Sequence, residues 1–409
     1  HIQALISKKR YLSWSNWLIL AFLSVLPFQP QEVQVNSIII IALSLLSLLS
    51  LTAQDFIGFG IRSKFLWMPL MWIALALSLL WSEDVDRGLN SIFKSLPLIL
   101  LPFVFSLQGK NRSKIEVWKM VFVASCLLAS VIGLSSGLIK FAETGLSYHF
   151  SYQYVCPFLP PAYTSLYIAL ALAILIDQLR QNTSSSWWVH LSIWFFMIHL
   201  AVIFSRSGIV LLLLLIGWNL MVLLRNKLKR QLTLFLVLMG LGIAGLMTNT
   251  KVQDRISGVV KIAQGQYEYE GTSSSLGARM WIWNAARELV LDRPWLGYGA
   301  GGEKNALLLK FEEKELSFGV ERGYNAHNQF MQYALAIGVL GLFYFLFLFW
   351  RSIRLSLNRK NVFGVMSMLF IALAFFTESM LERQAGIFLF AFFYSLIELQ
   401  NSFAKTQEV

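Results

Sequence analysis

The sequence predicts an all-α membrane protein that crosses the bilayer about twelve times, and two observations support this prediction. Of its 409 residues, 56% are hydrophobic and only 14% are charged, with a mean hydropathy of +0.61. A soluble domain of this size has too little polar surface to cover so many apolar side chains, so the bilayer is the solvent. Apolar runs near the length that spans a bilayer also recur along the whole chain.

Each of these apolar runs predicts one membrane-spanning helix. The predicted helices occupy residues 12–27, 35–53, 65–81, 89–107, 117–139, 162–179, 187–204, 207–224, 232–248, 329–350, 362–378 and 385–402. The chain therefore divides into a first group of spans (1–248), a long external connection with short helices (249–328) and a last group of spans (329–409), all within one integral membrane domain.

The formal net charge of +12 does not indicate a nucleic-acid partner, because of where the basic residues lie. Alternate connections hold the basic clusters, which fall at 8–10, 62–64, 110–114, 180, 225–230, 351–360 and 405. The intervening short connections hold only Arg87, Lys140, Arg206 and Arg383. This is the positive-inside pattern, and it predicts that both termini are cytoplasmic and that 249–328 is external.

The unusual polar residues are concentrated on the predicted external side. They lie in 141–161, in 249–328 and in the segment "ESMLERQ" at 378–384. External connections as long as 249–328 are uncommon unless they have a function, so we expect the chemistry on this side of the membrane.

Within the long connection, "SLGARMWIWNAARELVLDRP" predicts a surface helix that begins near Ser275 and ends before Pro294. Trp281 and Trp283 suit a helix at the headgroup level. Arg279 lies on its first turn, where a cation opposes the helix dipole unless an anion is bound. An arginine that faces lipid phosphates is the alternative interpretation.

Two motifs in the external connections resemble ligand sites but are not assigned as such. Gly297, Gly299 and Gly302 satisfy GxGxxG, yet no βαβ unit surrounds them, so we expect a tight turn that brings backbone close to a ligand or to the membrane. Asp84 and Asp86 in "EDVD" have the spacing of metal ligands, but a solvated turn is the favoured interpretation.

Two further residues are candidates because of their position at the ends of predicted spans. Arg206 in "FSRSG" lies between two apolar runs, where an arginine either reaches the outer headgroups or pairs with another group or a ligand. His327 precedes the run 329–350, and a histidine can act as a base, an acid or a phosphate ligand near neutral pH.

The surroundings of His327 are unusually polar. Its neighbours are Tyr324, Asn325, Asn328, Gln329 and Gln332. Glu378, Glu382 and Arg383 cap the next hairpin on the same side, either as part of a site or as ordinary interfacial anchors.

These segments resemble the bacterial O-antigen ligase family. "HNQFMQYALAIGVLG" fits the family pattern H-[NSQ]-x9-G-x-x-G, with His327, Asn328, Gly338 and Gly341 in place. "SRSG" resembles the segment with the family's arginine, and "ARMWIW" followed by "RPWLGYGAGG" resembles its R-x-x-x-W…P-x-x-G-x-G segment. The resemblance is strong over 200–345 and is limited to a set of spans over 1–190.

The resemblance implies a GT-C-like glycosyltransferase of the bacterial inner membrane with its active site in the periplasm. It implies transfer of a polysaccharide from undecaprenyl diphosphate to a hydroxyl of lipid A-core, with inversion and without a metal or cofactor. O-antigen polymerases and O-linked protein oligosaccharyltransferases share the C-terminal signature and remain alternatives. A transporter or flippase of about twelve spans is the alternative from another class.

The implied catalytic residues are Arg206, Arg279 and His327. The two guanidinium groups match the phosphate oxygens of the leaving group, and His327 either takes the proton of the acceptor or binds the diphosphate. The residues assigned to substrate binding are Asn328, Tyr298, Tyr324, Arg293, Glu378 and Arg383.

Overall fold

The fold is all-α within the residues that the structure describes. The computed structural model describes residues 8–29, 35–51, 64–108, 111–181, 186–229, 231–234, 236–237, 257 and 275–403, and it contains no β-strand in these ranges. Most of the predicted span 232–248, and residues 249–256 and 258–274 of the long connection, lie outside the described residues.

Fifteen α-helices are described and are numbered here in chain order. The first eight are α1 Lys8–Val25, α2 Val35–Leu49, α3 Trp67–Leu77, α4 Val85–Lys94, α5 Pro97–Ser106, α6 Arg112–Thr144, α7 Pro161–Gln181 and α8 Trp187–Ile203. The others are α9 Arg206–Arg225, α10 Ser275–Asp292, α11 Gly302–Glu313, α12 Ser317–Glu321, α13 Gln329–Asn358, α14 Val362–Thr377 and α15 Gln384–Asn401. Short 3-10 turns lie at Lys64–Leu66, Ser78–Trp81, Ser147–Phe150, Tyr152–Val155 and Met380–Glu382.

Several of these helices have the length and composition of membrane spans. Among the described residues, five segments are long and apolar enough to cross a bilayer: α4 with α5, α6, α7, α9 and α13. Four shorter apolar helices accompany them: α2, α3 with its 3-10 turn, α8 and α14. The chain is therefore a multi-pass membrane protein, while the total of about twelve spans stays a prediction.

The predicted span 89–107 corresponds to α4 and α5, which together are long and apolar enough to cross a bilayer but are separated by a turn. The backbone turns at Ser95, whose N–H donates to Ser91 O at 3.0 Å. Pro97 then begins α5, where its missing N–H costs no helical hydrogen bond. The indole of Trp72 donates to Ile92 O at 3.1 Å, which satisfies a carbonyl near the end of α4.

The centre of the bundle is formed by α7 and α15. Most of the residues of both helices are buried inside the protein. Phenylalanine rings fill the space between α13, α14 and α15: the rings of Phe345 and Phe375 stack with centroids 6.0 Å apart, and those of Phe349 and Phe390 with centroids 5.6 Å apart. This packed core fixes the ends of α13 and α14 relative to each other.

The helix α13 is broken in its interior, at Ile337 and Gly338. Gly338 has φ +69° and ψ −175°, so carbonyl and N–H groups of the helix lose their usual partners. Residues 294–302, which we call the glycine segment, supply new hydrogen-bond partners. The N–H of Tyr298 donates to Leu335 O at 2.7 Å, and the N–H of Val339 donates to Pro294 O at 2.7 Å. Irregular backbone at membrane depth is tolerated when protein groups satisfy it in this way.

The glycine segment turns tightly, as the sequence predicts, and its backbone closely approaches the backbone of α13. Gly297 has φ +66°, and a Cβ there would lie 2.3 Å from Leu335 O. A Cβ on Gly338 would lie 2.0 Å from Trp295 O. The glycines are therefore needed because two protein backbones touch at the break in α13.

Candidate active site

One cavity gathers the three residues assigned to catalysis. It has a volume of about 420 Å³ and opens where α7, α9 and α13 begin and α14 ends. Its lining includes Arg206, Arg279, Arg322, Tyr324, His327 and Glu378. We call it the His327 cavity. The described structure thus brings together residues from four separate parts of the chain.

His327 lies immediately before the cap of α13 in a strained backbone conformation. Its φ is +45°, in the left-handed region, and its N–H donates to Asn325 Oδ1 at 3.0 Å. The imidazole Nδ1 lies 2.7 Å from Glu378 Oε1, and the ring packs edge-on against Tyr324 with centroids 5.0 Å apart. Because Nδ1 is engaged by a carboxylate, the Nδ1–H tautomer leaves the Nε2 lone pair for another partner.

Glu378 links the histidine to an arginine. Its other carboxylate oxygen, Oε2, accepts a hydrogen bond from Arg279 Nη2 at 3.1 Å. Burial opposes ionisation of this carboxyl group, but the hydrogen bond from His327 and the charges of His327 and Arg279 outweigh burial and lower the pKa of Glu378. The carboxylate is therefore ionised at neutral pH.

Arg279 is held by the helix α10 and by the end of α14. Its Nη1 donates to Thr377 O at 2.6 Å, which orients the guanidinium toward the hairpin after α14. Two contacts of Trp283, one helical turn further along α10, support this position. Its indole N–H donates to Ala326 O at 3.0 Å, and its ring packs against Phe376. The cation on the first turn of α10 thus has a protein anion as its partner, and the guanidinium is turned into the protein.

Arg206 is the first residue of α9. Ser205 caps this helix by accepting a hydrogen bond from Gly208 N at 3.0 Å, and its hydroxyl lies 2.7 Å from that of Ser165 on α7. The motif "SRSG" therefore joins two helix ends at the rim of the His327 cavity. Ser207 also lines the cavity, and its buried Oγ has no hydrogen-bond partner within the described structure.

The polar residues at the start of α13 hold the loop and the hairpin around His327. Asn328 is buried, and its side-chain oxygen caps α13 by accepting two backbone N–H groups at 2.9 and 3.1 Å. Its own N–H donates to Ser379 Oγ at 3.1 Å. Gln329 accepts a backbone hydrogen bond from the same hairpin at 2.7 Å, and Gln332 accepts one from the loop before His327 at 3.1 Å. The structure thus uses Asn328 as a helix cap and does not place it on the cavity wall.

Behind this network lies a buried carboxyl group on α11. Glu303 Oε1 accepts a hydrogen bond from Gln332 at 3.4 Å, and Oε2 has no partner within the described residues. Burial, together with the charge of Glu382, raises the pKa of Glu303 to about 8. The group therefore favours its neutral form at neutral pH.

Three other residues assigned to substrate binding lie away from the His327 cavity. The hydroxyl of Tyr298 donates to Asp292 Oδ2 at 2.8 Å, and Arg293 covers the tyrosine ring and pairs with Glu83 at 3.3 Å. Arg383 lines a separate cavity of about 270 Å³ together with Lys94. Of the six residues in that assignment, the structure places Tyr324 and Glu378 on the wall of the His327 cavity.

The acidic motif "EDVD" has structural partners. Asp84 caps α4 by accepting a hydrogen bond from Arg87 N at 3.0 Å, and it also accepts one from Asn305 at 3.4 Å. No group of three or more metal-ligating side chains occurs within the ranges that the structure describes.

The sequence did not identify several residues of the cavity wall, among them Arg322 and Ser207, or the contact between Glu378 and His327. Arg322 donates to the hydroxyl of Tyr324 at 2.9 Å, and its place two residues before that tyrosine was the available signal. Ser207 carried no signal beyond its position next to Arg206. Glu378 was expected to cap a hairpin, but its contact with His327 joins residues 51 positions apart, and no local pattern predicts that.

Comparisons with known proteins show which family part of the chain resembles. Residues 191–346 match the family model described as O-antigen ligase, a range that includes Arg206, Arg279 and His327. A protein of Rickettsia conorii with the provisional name polysaccharide ligase is 27% identical over 99 residues. That similarity covers 23% of this chain and 23% of the relative, so the chain matches less than a quarter of the relative's length.

Proposed function

We propose that this chain, whose residues 191–346 form an O-antigen ligase family domain, transfers a polysaccharide from undecaprenyl diphosphate to a hydroxyl group of lipid A-core. The proposal rests on the side chains that line the His327 cavity together. There a histidine held by a carboxylate lies beside Arg206, Arg279 and Arg322. The reaction needs a proton acceptor and cations for a diphosphate at one place, and this cavity holds both.

His327 acts as the general base in this proposal. As the acceptor oxygen attacks the anomeric carbon, its proton moves to Nε2 of His327, while Glu378 stabilises the imidazolium through Nδ1. The acceptor oxygen forms the new glycosidic bond and the bond from the anomeric carbon to the diphosphate oxygen breaks. A single displacement of this kind inverts the anomeric configuration.

The arginines stabilise the leaving group. Undecaprenyl diphosphate gains negative charge as its bond to the sugar breaks, and preorganised guanidinium groups lower the barrier by binding that charge. Arg206, with the unpartnered hydroxyl of Ser207 beside it, is well placed to bind phosphate oxygens at the rim. Arg279 is already bound to Glu378, so a diphosphate in the cavity competes with the carboxylate for this guanidinium.

We further propose that the reaction proceeds without a metal or cofactor on the periplasmic face of the bacterial inner membrane, with both termini in the cytoplasm. The positive-inside distribution of basic residues supports this orientation. Single cysteines introduced at Lys227 and at Lys310 test it. A membrane-impermeant thiol reagent added to intact cells must label the second position and not the first.

A reconstituted transfer assay tests the proposed reaction. The purified full chain in liposomes receives undecaprenyl-diphosphate glycan and lipid A-core in the presence of EDTA, with His327→Ala as the matched control. We expect glycan-capped lipid A-core with the wild type and at least a hundredfold less with the variant. A donor that lengthens on its own lipid would instead identify a polymerase, and an unconsumed donor would contradict any transferase.

A further inference from the structure

A second large cavity lies at the opposite end of the bundle. Its volume is about 710 Å³, and it is formed where α6 and α14 begin and where α7, α13 and α15 end. Its charged lining residues are five basic and two acidic side chains: Arg112, Lys119, Arg180, Arg359, Lys360, Glu116 and Asp177. We call it the Lys119 cavity. The proposed glycosyl transfer uses none of these residues.

The two carboxylates of this cavity are already paired. Glu116 binds Lys119 at 3.0 Å, and Asp177 binds Arg180 at 2.9 Å. Lys119 is also buried and lies over the ring of Phe363, 4.5 Å from its centroid. Arg112, Arg359 and Lys360 make no side-chain ion pair or hydrogen bond with any residue that the structure describes, which leaves the cavity with an excess of positive charge.

The floor of the cavity contains an unsatisfied polar atom. The side-chain oxygen Oε1 of Gln400 is buried and has no hydrogen-bond partner among the described residues. Its neighbours are satisfied: the amide of Asn361 donates to Asn401 at 3.0 Å, and that of Asn401 donates to Ser356 at 3.0 Å. A buried acceptor without a partner destabilises the protein, so the site lacks one hydrogen-bond donor such as a hydroxyl group.

The depth of the cavity fits the headgroup layer of a membrane. The helix α7 has 21 residues and runs from the His327 cavity at its start to the Lys119 cavity at its end. At about 1.5 Å per residue it spans about 30 Å, the thickness of the hydrocarbon core. The two cavities therefore lie at the two faces of the bilayer, and this one faces the leaflet at the basic end.

We propose that the Lys119 cavity binds the phosphate-bearing headgroup of an anionic phospholipid. The phosphate contacts Arg112, Arg359 and Lys360, and a glycerol hydroxyl of the headgroup donates to Gln400 Oε1. The apolar side chains of Ile115, Val362 and Phe403 line the same cavity, next to charged groups, as an amphipathic ligand requires. Basic pockets between membrane helices at the cytoplasmic end are suited to such headgroups. This inference does not depend on the proposed transferase reaction.

Native mass spectrometry of the full chain tests the proposal. The Kd for phosphatidylglycerol is compared between the wild type and the triple variant Arg112→Gln/Arg359→Gln/Lys360→Gln. Each basic side chain near an anionic lipid strengthens binding about fivefold, so we expect about hundredfold weaker binding. The matched control, Arg225→Gln/Lys227→Gln/Lys229→Gln, removes three exposed cations from the same end outside the cavity, and its Kd should change less than threefold.

Three results would overturn the proposal. Equal weakening in both triple variants would assign binding to the overall charge of this end. Displacement of the lipid by millimolar glycerol phosphate would make the cavity a site for a soluble anion. If the triple variant does not fold, the Kd for phosphatidylglycerol is measured for Gln400→Glu instead, because this substitution places a carboxylate beside the phosphate. A Kd in Gln400→Glu within twofold of the wild type would contradict the proposal.

Discussion

The His327 cavity and the Lys119 cavity differ in how their charges are held. In the Lys119 cavity each carboxylate binds a cation three residues further along its own helix, as Glu116 does with Lys119. In the His327 cavity one carboxylate, Glu378, binds both His327 and Arg279, which lie 51 and 99 positions away in the sequence. The first arrangement forms with a single helix turn. The second exists only when three separate segments are folded together.

The difference between the cavities suits their proposed roles. An ion pair within one helix turn keeps its geometry while a lipid headgroup enters and leaves. A carboxylate shared between a base and an arginine fixes the orientation of both, which a reaction with a defined proton acceptor requires. The four predictions that follow test what long-range contacts contribute to the His327 cavity and to the fold around it.

Among these four predictions, removal of a single arginine of the His327 cavity should have the largest effect. Arg206→Ala and Arg279→Ala should each lower the rate of transfer by about 10²–10³-fold, the usual cost of one preorganised donor to a developing charge. The matched controls are Arg225→Ala on α9 and Arg287→Ala on α10, which remove the same charge from exposed positions of the same helices. Rates are measured in the reconstituted assay, and equal losses in a variant and its control would remove that arginine from the mechanism.

The break in α13 should be the next most sensitive feature. Gly338→Ala forces a Cβ against Trp295 O and a left-handed backbone on alanine, so we expect a loss of several kcal/mol in unfolding free energy. Gly217→Ala on α9 is the control, because nothing lies within 4 Å of its Cβ and alanine favours the helix. Thermal unfolding in detergent compares the two. A Gly338→Ala protein as stable as Gly217→Ala would mean that the break is not constrained.

Acidification should weaken the fold through Glu378. Because its folded pKa is lowered, its contribution to stability is present above the unfolded pKa of about 4.3 and is lost as the pH falls through the folded value. The free energy of unfolding, measured by thermal unfolding, should therefore fall more between pH 6 and pH 3 in the wild type than in Glu378→Gln, by about 1.4 kcal/mol for each pH unit by which the folded pKa lies below the unfolded one. Parallel pH profiles would mean that Glu378 is not held by His327 and Arg279.

The smallest effect is expected at Arg293. It was assigned to substrate binding from the sequence, but it pairs with Glu83 at an exposed site outside the His327 cavity. Arg293→Gln should change the rate of transfer less than about twofold and cost under about 1 kcal/mol of stability, as exposed ion pairs do. A rate loss as large as that of Arg279→Ala would show that substrate reaches this surface as well.

The sequence predicts helix positions well because they depend on local composition. The predicted spans 187–204 and 385–402 agree closely with Trp187–Ile203 and Gln384–Asn401, since apolar runs end where polar residues begin. The surface helix from Ser275 is confirmed for the same reason, with its stop before Pro294. Helix α11 was not predicted, because its sequence lacks a clear apolar face.

The parts that could not be predicted depend on distant segments. Gly338 lies in an apolar run that indicates a continuous span, and the break becomes stable only because the segment from Pro294 supplies hydrogen-bond partners. His327, Arg206 and Arg279 were identified from their positions and from the family pattern, and Glu378 was assigned to substrate binding, but its contact with His327 was not predicted. Such a partner becomes visible only when the end of α14 lies against the start of α13.

In the proposed mechanism His327 acts on the acceptor's proton and does not hold the diphosphate. The most direct test is the Kd of undecaprenyl-diphosphate glycan for His327→Ala, measured beside its rate of transfer. We expect a rate lower by about 10²–10⁴-fold with a donor Kd within twofold of the wild-type value. A Kd that rises in proportion to the lost rate would contradict it and make His327 a ligand of the phosphate.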